Sequence, residues 1–312
     1  MAGSVRRFPV LRHGVYALIA LTTWVAGSAL GTIPPSASSA APQYPQMILR
    51  AAHPNAPVGG NGPIFILALG SDSRPGTPIT RGHSDVIQLI CVNQQQDKAS
   101  VLGFNRDYEV PIPGIGFDKI NEAMSSGGPD LTVQTVEALS GIKIDYVLIT
   151  SFDGVKKMID EIGGLLVDVP YPIYDPHSGA AIDPGFQHLD GTQALAMARA
   201  RHNVPGSVFG RTKNQQRILL ATLAQLREQY SQDSGVLDVY LKALMDGTVT
   251  DVSQSDIDAL ANLALKVPNS HVKAVILPGR SARIGHRTLS FLDRKAANRL
   301  FREVRPDGIL GG

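Results

Sequence analysis

Short apolar runs bounded by glycine or polar residues predict the strands of this chain. Residues 64–69 form a continuous apolar run that stops at Gly70, a pattern typical of a buried central strand. Further runs of the same kind follow along the chain. The predicted strands are residues 64–69, 85–92, 99–104, 145–150, 165–169 and 271–277.

Apolar residues at helical spacing predict helices between these strands. Leu219, Leu223 and Leu226 are spaced four and three apart, which places them on one face of a long helix. Ser253 is a candidate N-cap, since Asp256 follows three residues later, and Gly141 is a candidate C-cap. The predicted helices are residues 130–140, 152–162, 191–200, 211–230 and 253–265.

The alternation of strands and helices predicts the fold class. It favours a single layered α/β/α domain with a central mixed sheet, which we place at residues 62–305. No proline-rich or polar linker divides this range. Residues 306–312 contain three glycines and are predicted to form a loose tail.

An uncharged stretch near the N-terminus is long enough to cross a bilayer as a helix. It follows Arg6, Arg7 and Arg12, and a positive flank stays on the cytoplasmic side, so the large domain is expected outside. We therefore predict a single-pass plasma-membrane protein with an extracytoplasmic domain. The predicted segments are a cytoplasmic basic tail at residues 1–13, a transmembrane signal-anchor helix at 14–33 and an extended linker at 34–61.

A cleaved secretory signal is the alternative for this N-terminal segment. Small residues at positions 38–40 resemble a signal cleavage site. The length of the apolar stretch slightly favours the anchor. Under both interpretations the large domain is exported.

Composition and net charge argue against only one class of partner. The chain has 312 residues, is 43% hydrophobic and has a formal net charge of +2, which fits a globular core and argues against a nucleic-acid partner. The one cysteine, Cys91, lies inside an apolar run, where a buried thiol is expected rather than a nucleophile.

The chain carries a local excess of positive charge from residue 191 to residue 227. This stretch has no aspartate or glutamate. Such a cluster in a nearly neutral chain indicates a site for phosphate or pyrophosphate, because the arginine fork matches phosphate oxygens in pairs. The alternative is a solvated basic helix face. The cations are Arg199, Arg201, Arg211, Lys213, Arg217 and Arg227.

Carboxylates follow or begin the predicted strands, at the edge where α/β proteins bind ligands. Asp72 and Arg74 come directly after the first strand, and Asp85 opens the second. Two hard carboxylates, with only His83 as a softer neighbour, suit Mg²⁺. The alternative is that each aspartate caps a turn.

Arg106 and Asp107 close the third predicted strand. They form either an exposed ion pair of little energetic value or a functional pair, in which Arg106 points into the crevice and Asp107 holds it. On the predicted helix at 211–230, Arg211 and Gln215 are four residues apart and share a face near its N-terminus, where anions are favoured.

Arg199 and Arg201 are two residues apart, so they converge on one ligand only if the helix ends between them. Pro205 and Gly206 support such an ending. His202 is a candidate proton donor, although a surface or capping role is the more common one for a histidine at a helix end.

A series of motifs across roughly residues 62–230 resembles the LytR-CpsA-Psr family of cell-envelope phosphotransferases. Each motif is weak alone, but all occur in order and at plausible spacing. They are Gly-Ser-Asp-Ser-Arg at 70–74, His-Ser-Asp at 83–85, Asn-Arg-Asp at 105–107, Pro-Gly at 113–114, Asp-Lys-Ile-Asn at 118–121, Gly-Gly-Pro at 127–129, Gly-Ile at 141–142, Ile-Gly-Gly at 162–164, Arg-Ala-Arg-His at 199–202, Phe-Gly-Arg at 209–211 and Gln-Gln at 215–216.

The resemblance implies an exported enzyme that uses Mg²⁺ to transfer a glycopolymer-phosphate from a polyprenyl-(pyro)phosphate carrier to a sugar hydroxyl of peptidoglycan. The partners would be the lipid-linked glycopolymer, the peptidoglycan acceptor and the membrane. By motif, the metal ligands would be Asp72 and Asp85, and the phosphate-binding residues Arg74, Arg106, Arg199, Arg201, Arg211 and Gln215. The catalytic residues would be Asp72, Arg106, Asp107 and Arg201.

The chain departs from the family pattern at two places. Val208 occupies a position three residues before Arg211 where relatives often have aspartate, and Phe104 with Asn105 replaces an aliphatic residue and proline. Two alternatives therefore stand beside the transferase. One is a non-catalytic protein that binds polyprenyl phosphate, and the other is a pyrophosphatase that acts on the same lipids.

Overall fold

A computed structural model describes residues 58–74, 76–284 and 287–311. Three predicted segments lie wholly or almost wholly outside the described residues. They are the tail at 1–13, the transmembrane helix at 14–33 and the linker at 34–61, of which only residues 58–61 are described. Within those described ranges, no helix has the length and apolarity that a membrane span requires.

The described chain alternates between strands and helices, as the apolar pattern predicts. The strands are β1 (Pro63–Ser71), β2 (Ser84–Asn93), β3 (Lys98–Gly103), β4 (Glu109–Ile112), β5 (Gly116–Lys119), β6 (Tyr146–Ser151), β7 (Leu165–Val169), β8 (Ile173–Asp175), β9 (Ala180–Ile182), β10 (Gly185–Leu189), β11 (Thr248–Thr250), β12 (Val272–Ile276), β13 (Gly279–Ile284) and β14 (Arg287–Leu292). The helices are α1 (Glu122–Ser140), α2 (Phe152–Glu161), α3 (Gly191–Arg199), α4 (Val208–Gln232), α5 (Val236–Asp246), α6 (Gln254–Lys266) and α7 (Arg294–Val304).

Six strands form a central mixed sheet in the order β11-β6-β1-β2-β3-β12, which confirms the predicted sheet. β1 is parallel to β6 and antiparallel to β2, while β3 is antiparallel to β2 and parallel to β12. The carboxyl ends of β1, β3, β6 and β12 therefore lie at one edge of the sheet. The first residues of β2 and β11 lie at this same edge, which we call the ligand edge.

Both faces of the central sheet are covered. Leu67 and Leu69 of β1 pack with α1 and α7 in the largest core cluster. Ile64 and Ile66 point the other way and pack with residues of α5 and α6. This arrangement follows from the period of two along a strand, which sends successive apolar side chains to opposite faces.

The predicted elements match the structure to within one or two residues, except for α1 and for α4, which begins three residues earlier than predicted. Helix α1 begins at Glu122 and contains a non-helical residue, Gly128 (φ 70°), just before Pro129. The segment predicted from residue 130 is the part after this break. Gly141 ends the helix in the left-handed conformation (φ 66°), and its N–H donates to the carbonyl of Glu137.

The predicted loose tail at residues 306–312 is wrong for the part that the structure describes. Ile309 and Leu310 are buried, and the N–H of Leu310 donates to Ser100 Oγ at 2.9 Å. The Lys273 ammonium donates to the carbonyl of Gly311 at 3.0 Å. The glycines made this segment resemble a flexible tail, but burial of its two apolar side chains holds it against the sheet.

Candidate functional site

The ligand edge brings together the predicted site residues from separate parts of the chain. Asp72 follows β1, Asp85 is the second residue of β2, and Arg106 follows β3. The N-terminus of α4 approaches the same edge, because Gln215 Nε2 donates to the carbonyl of Asp85 at 3.3 Å. The topology therefore assembles a site from residues that are far apart in sequence.

Asp72 and His83 close the loop between β1 and β2. The N–H of Asp72 donates to the carbonyl of His83 at 3.1 Å, and the N–H of His83 donates back to Asp72 Oδ1 at 2.7 Å. The imidazole lies between two carboxylates, with Nδ1 at 3.2 Å from Asp72 Oδ2 and Nε2 at 3.3 Å from Glu122 Oε2. Glu122 was not predicted as a site residue, since it lies 39 positions after His83.

Gly82 permits this close loop. A Cβ atom at this position would lie 2.6 Å from both Ser71 Oγ and the backbone nitrogen of Ser73. Any side chain here would therefore push the Asp72 loop away from the sheet.

Arg106 is held by Asp85 rather than chiefly by its neighbour Asp107. Arg106 Nη1 and Asp85 Oδ1 form a direct ion pair, whereas Arg106 Nε lies 3.8 Å from Asp107 Oδ2. Burial disfavours the charged guanidinium, but Asp85, Asp107 and Asp72 more than offset this and raise the pKa of Arg106. The predicted surface-pair alternative is wrong, because these side chains are mostly buried.

Asp107 is the centre of a buried cation cluster. Its Oδ1 accepts from Lys119 Nζ at 3.0 Å, and its Oδ2 accepts from Arg211 Nη2 at 3.3 Å. Burial alone would raise the pKa of Asp107, but Arg106, Arg211 and Lys119 lower it overall. Because a cation contacts each of its two oxygens, Asp107 positions those cations.

Arg211 is the most buried of the predicted phosphate-binding arginines, with 5% of its surface exposed. Burial lowers its pKa to about 10, and the charges of Arg106 and Arg201 act in the same direction. Asp107 and Asp85 oppose this shift. Arg211 thus remains charged at neutral pH. It lies close to other positive charges, and a bound anion would reduce their mutual repulsion.

The basic stretch at residues 191–227 does not form one cluster. Arg217 contacts the Tyr171 hydroxyl and Asn214, and Arg227 donates to the carbonyl of Ala264, so both tie α4 to its neighbours. Lys213 is exposed. Gln215 donates to the carbonyls of Asp85 and Ala198, which makes it a link between elements at the edge of the site.

Arg199 and Arg201 lie on either side of a helix end, as predicted. α3 stops at Arg199, and Ala200 has an extended conformation (φ −61°, ψ 130°). Both arginines are exposed, and the Arg199 guanidinium carbon lies 5.1 Å from the centre of the Phe152 ring. Arg74 is also exposed and forms no ion pair with any described carboxylate, so the structure does not bring it into the cluster.

Asp175 anchors the turn that carries Arg201. Its Oδ2 accepts from the N–H groups of Arg201 at 2.8 Å and His202 at 2.9 Å, and its Oδ1 accepts from the N–H of His177. His202 Nδ1 lies 3.3 Å from the same carboxylate, in keeping with a capping role. Asp175 was not predicted as a site residue, because it lies outside the acid-free stretch that it holds.

We expect the variant Asp175→Asn to lose a pH-dependent part of the stability. Burial opposes ionisation, but the three backbone N–H groups and His202 lower the Asp175 pKa to about 2. An aspartate of an unfolded chain titrates near about 3.9, so the stabilisation of roughly 2 kcal/mol is complete above that pH and disappears as the pH falls to about 2. Urea unfolding at a series of pH values measures this difference.

The control for Asp175→Asn is Asp168→Asn, which changes an exposed aspartate on β7. The control should retain the pH dependence of the wild-type protein. Equal pH slopes for the wild-type protein and Asp175→Asn between pH 4 and pH 2 would contradict the role of the Asp175 carboxylate.

Several buried polar atoms around the ligand edge have no hydrogen-bond partner among the described residues. Ser73 and Ser84 flank the two predicted metal ligands, and their hydroxyls are unpaired. Arg106 Nε and Arg211 Nε also lack a hydrogen bond, although Arg106 Nε lies 3.8 Å from Asp107 Oδ2. Buried polar atoms are normally paired, so this concentration indicates space for a polar ligand.

The donors at this edge fit a partly hydrated Mg²⁺ bound together with phosphate. No group of three candidate metal ligands occurs in the described ranges. Mg²⁺, however, is usually bound by one or two carboxylates, with waters and substrate phosphates completing its shell. Asp72 and Asp85 supply carboxylates of this kind, although Asp85 also pairs with Arg106 and Asp72 with His83.

Comparison with known proteins gives a match to a family model described as the LytR_cpsA_psr family, over residues 37–305. The chain is 33% identical over 193 residues to the polyisoprenyl-teichoic acid–peptidoglycan teichoic acid transferase TagU of Bacillus cereus. This alignment covers 62% of the chain and 61% of that relative. The chain thus spans about three fifths of the length of this curated relative.

Solved structures share the fold. Bacillus subtilis TagV matches with a TM-score of 0.66 and 26% identity, covering 78% of this chain and 95% of TagV. A LytR-Csp2A-Psr enzyme from Actinomyces oris matches with a TM-score of 0.68 and 20% identity, covering 86% of this chain and 98% of that protein. The second likeness concerns the fold alone.

Proposed function

The chain belongs to the LytR_cpsA_psr family, and on that premise we propose that it transfers a glycopolymer-phosphate from a polyprenyl-(pyro)phosphate carrier to a sugar hydroxyl of peptidoglycan. The observation that carries this proposal is the buried cluster of Arg106, Arg211 and Lys119 at the ligand edge, next to Asp72 and Asp85. The name of the TagU relative pairs a polyisoprenyl-linked polymer with peptidoglycan, which supports the same donor and acceptor.

The charges of the cluster favour a phosphate group. Three cations, Arg106, Arg211 and Lys119, are paired with two carboxylates, Asp85 and Asp107, and Asp72 also acts on Arg106. Arg201 adds another charge close enough to lower the Arg211 pKa. Guanidinium groups in such a partly dry site stabilise the charge that develops on phosphoryl oxygens in the transition state.

Asp72 and Asp85 would hold Mg²⁺ in this proposal. When bound, the ion would neutralise phosphate oxygens and orient the transferring group. The chain's own residues do the rest of the positioning. Asp85 fixes Arg106, Asp107 fixes Arg211 and Lys119, and the Asp72–His83 pairing holds the loop against the sheet.

A half-buried apolar surface between the central sheet and α4 supports a lipid carrier. Gln216 of α4 bonds to Gln88 of β2, so this face of α4 lies on the sheet. Leu219 and Leu223 share that face, since they follow Gln216 by three and seven residues. Ala68, the neighbour of Gln88 on the central strand, is likewise only half-buried, as are both leucines. Apolar surface that helices leave uncovered beside the phosphate cluster suits a polyprenyl chain.

The proposed step is a phosphoryl transfer from the lipid carrier to the acceptor hydroxyl. The oxygen of the acceptor hydroxyl forms a bond to the phosphorus that carries the glycopolymer. The bond from that phosphorus to the bridging oxygen of the carrier breaks, and the polyprenyl phosphate leaves with the electron pair. The hydroxyl proton is released to water. The membrane and the extracytoplasmic location of the domain belong to the same proposal, and the uncharged segment at residues 14–33 supports them.

We expect the full-length chain, given a polyprenyl-pyrophosphate oligosaccharide and glycan strands, to produce coupled glycan and polyprenyl phosphate in equal amounts. Asp72→Asn should lower the rate by about a hundredfold, since it weakens a carboxylate that would hold the ion at the transferred phosphate. Chelation by EDTA should have a similar effect that added Mg²⁺ reverses. Mass spectrometry of both products measures the reaction.

The control is Asp130→Asn, which alters an exposed aspartate on α1 and should transfer at the wild-type rate. Polyprenyl phosphate released without coupled glycan would identify a lipid pyrophosphatase instead. Tight lipid binding without any release, unchanged in Asp72→Asn, would identify a non-catalytic binding protein. Either result overturns the proposed transfer.

A further inference from the structure

A second pocket opens at the ligand edge, beside the proposed phosphate site. Its volume is about 440 Å³. It lies where the end of β6, the start of α2 and the turn between α5 and β11 meet. The residues that define it are Ser151, Asp153, Lys157, Asp246, Thr248 and Ile79.

The pocket is one strand away from Asp72. Ser71, which precedes Asp72, pairs directly with Ser151 of β6, and neighbouring strands are about 4.8 Å apart. The loop between β1 and β2 separates the two sites, since Ile79 of this loop forms part of the pocket wall. Phe152 follows Ser151 and supports the Arg199 guanidinium, which connects the pocket to the basic groups.

The floor of the pocket depends on two glycines in close contact. A Cβ atom on Gly154 would lie 2.6 Å from the carbonyl oxygen of Gly247. Thr150 Oγ1 donates to the same carbonyl at 3.0 Å, which holds the turn before β11 against α2. The depression is thus a built feature of the fold.

The walls carry polar groups that lack partners. Thr248 has 5% of its surface exposed, and its Oγ1 has no hydrogen-bond partner among the described residues. Asp153 and Lys157 are exposed one helical turn apart on α2, and neither forms an ion pair with a described residue. Ile79 and Val249 add apolar surface. Hydroxyls, a carboxylate and an ammonium bind the polar edge of a sugar ring. The apolar side chains beside them pack against its C–H face.

The charge and polarity of the pocket disfavour the two other parts of the substrates, the phosphate groups and the polyprenyl chain. Asp153 and Lys157 carry opposite charges, and Asp246 is paired with Lys242, so the pocket offers no excess of positive charge. A phosphate would gain no net attraction here, whereas the arginines across the loop attract it. A polyprenyl chain would leave the polar walls without partners.

We propose that this pocket binds the acceptor, a hydroxyl-rich sugar of the peptidoglycan glycan strand, and presents its hydroxyl to the phosphate held at Arg106 and Arg211. This inference rests on the proposed function, since it names the subsite of the second substrate. The volume lies within the range of pockets of about 300–1,000 Å³ that enclose small ligands.

The test is glycan binding by the full-length chain in the absence of donor. The probe is an unmodified, uncross-linked peptidoglycan glycan strand, and calorimetry measures its affinity for the wild-type protein and for the double variant Asp153→Asn with Lys157→Met. We expect the double variant to bind about tenfold more weakly, as for the loss of one good charged hydrogen bond. Thr248→Val should weaken binding to a smaller degree. Lys156→Met is the matched control, because Lys156 lies on the same helix but pairs with Asp160.

A transfer assay separates this inference from the proposed function. The double variant should raise the acceptor KM by about tenfold while donor cleavage with water as acceptor stays at the wild-type rate. Glycan affinity that is equal in the wild-type protein and the double variant, or absent from the wild-type protein, overturns the acceptor pocket even if transfer occurs. A wild-type protein that binds glycan here but never cleaves the donor counts against the transferase and leaves the pocket supported.

Discussion

We expect the variant Arg211→Lys to lower the rate of glycopolymer transfer by about a hundredfold, the cost typical of losing one preorganised donor to a developing negative charge. Arg211 is almost fully buried and contacts Asp107 through Nη2, while its Nε has no partner among the described residues. Lysine keeps the positive charge but loses the planar fork that binds two phosphate oxygens at once. The loss should therefore fall on the chemical step more than on folding.

Three measurements check this expectation for Arg211→Lys. The thermal unfolding midpoint should remain close to that of the wild-type protein, because lysine still offers Asp107 a cation. The affinity for a soluble pyrophosphate should fall together with the rate. Arg217→Lys, on the same helix but in contact with Tyr171 and Asn214, should transfer at the wild-type rate. A wild-type rate in folded Arg211→Lys would remove Arg211 from the phosphate site.

The second large effect is expected for Asp107→Ala, which should destabilise the domain by about 3–5 kcal/mol and abolish transfer. Asp107 accepts from Lys119 and Arg211, so its removal leaves these two mostly buried cations without their counter-charge, while Arg106 keeps Asp85. The exposed control Asp130→Ala should unfold at the wild-type urea concentration.

The same carboxylate makes the stability of the cluster depend on pH. Burial opposes ionisation of Asp107, but its three cations lower the folded-state pKa overall. Its contribution is therefore present above the unfolded-state pKa of about 3.9 and is lost as the pH falls through the lower folded-state pKa. Asp107→Asn should remove this part of the acid sensitivity. A wild-type pH profile for the stability of Asp107→Asn would show that the carboxylate charge does not hold the cluster.

Several of the elements that were not predicted have few buried apolar positions. β5 and β13 are mostly exposed, including Phe117 and Ile284, so they contain no run of buried apolar positions. β4 does alternate, but it has only four residues. α7 is strongly amphipathic but also very polar in composition, and its apolar positions were too few to stand out. The buried runs of the central sheet were easy to predict, because strands that are covered on both faces are apolar throughout.

The site residues divide in the same way, into those that local sequence patterns predict and those whose role depends on contacts with distant residues. Asp72 and Arg106 were predicted because they follow apolar runs whose carboxyl ends line the ligand crevice, and Asp85 because it opens the next run at the close of the loop after Asp72. Lys119 and Asp175 were not predicted, since each acts on a partner that lies at least 12 positions away. Arg217 and Arg227 counted toward a phosphate site by charge alone, whereas the structure uses them to join α4 to other elements.

The sequence by itself determined five of the six strands of the central sheet, the residue types at its edge and the resemblance to a family, because apolar periodicity and residue type are local properties of the chain. The short strand β11 was not predicted. Only the tertiary structure decided which acid meets which arginine. Asp85 rather than Asp107 pairs closely with Arg106, Asp107 holds Arg211, and Asp175 holds the turn of Arg201. These pairs depend on strand order and on the path of α4, and burial then makes them strong enough to shift pKa values and to position a substrate.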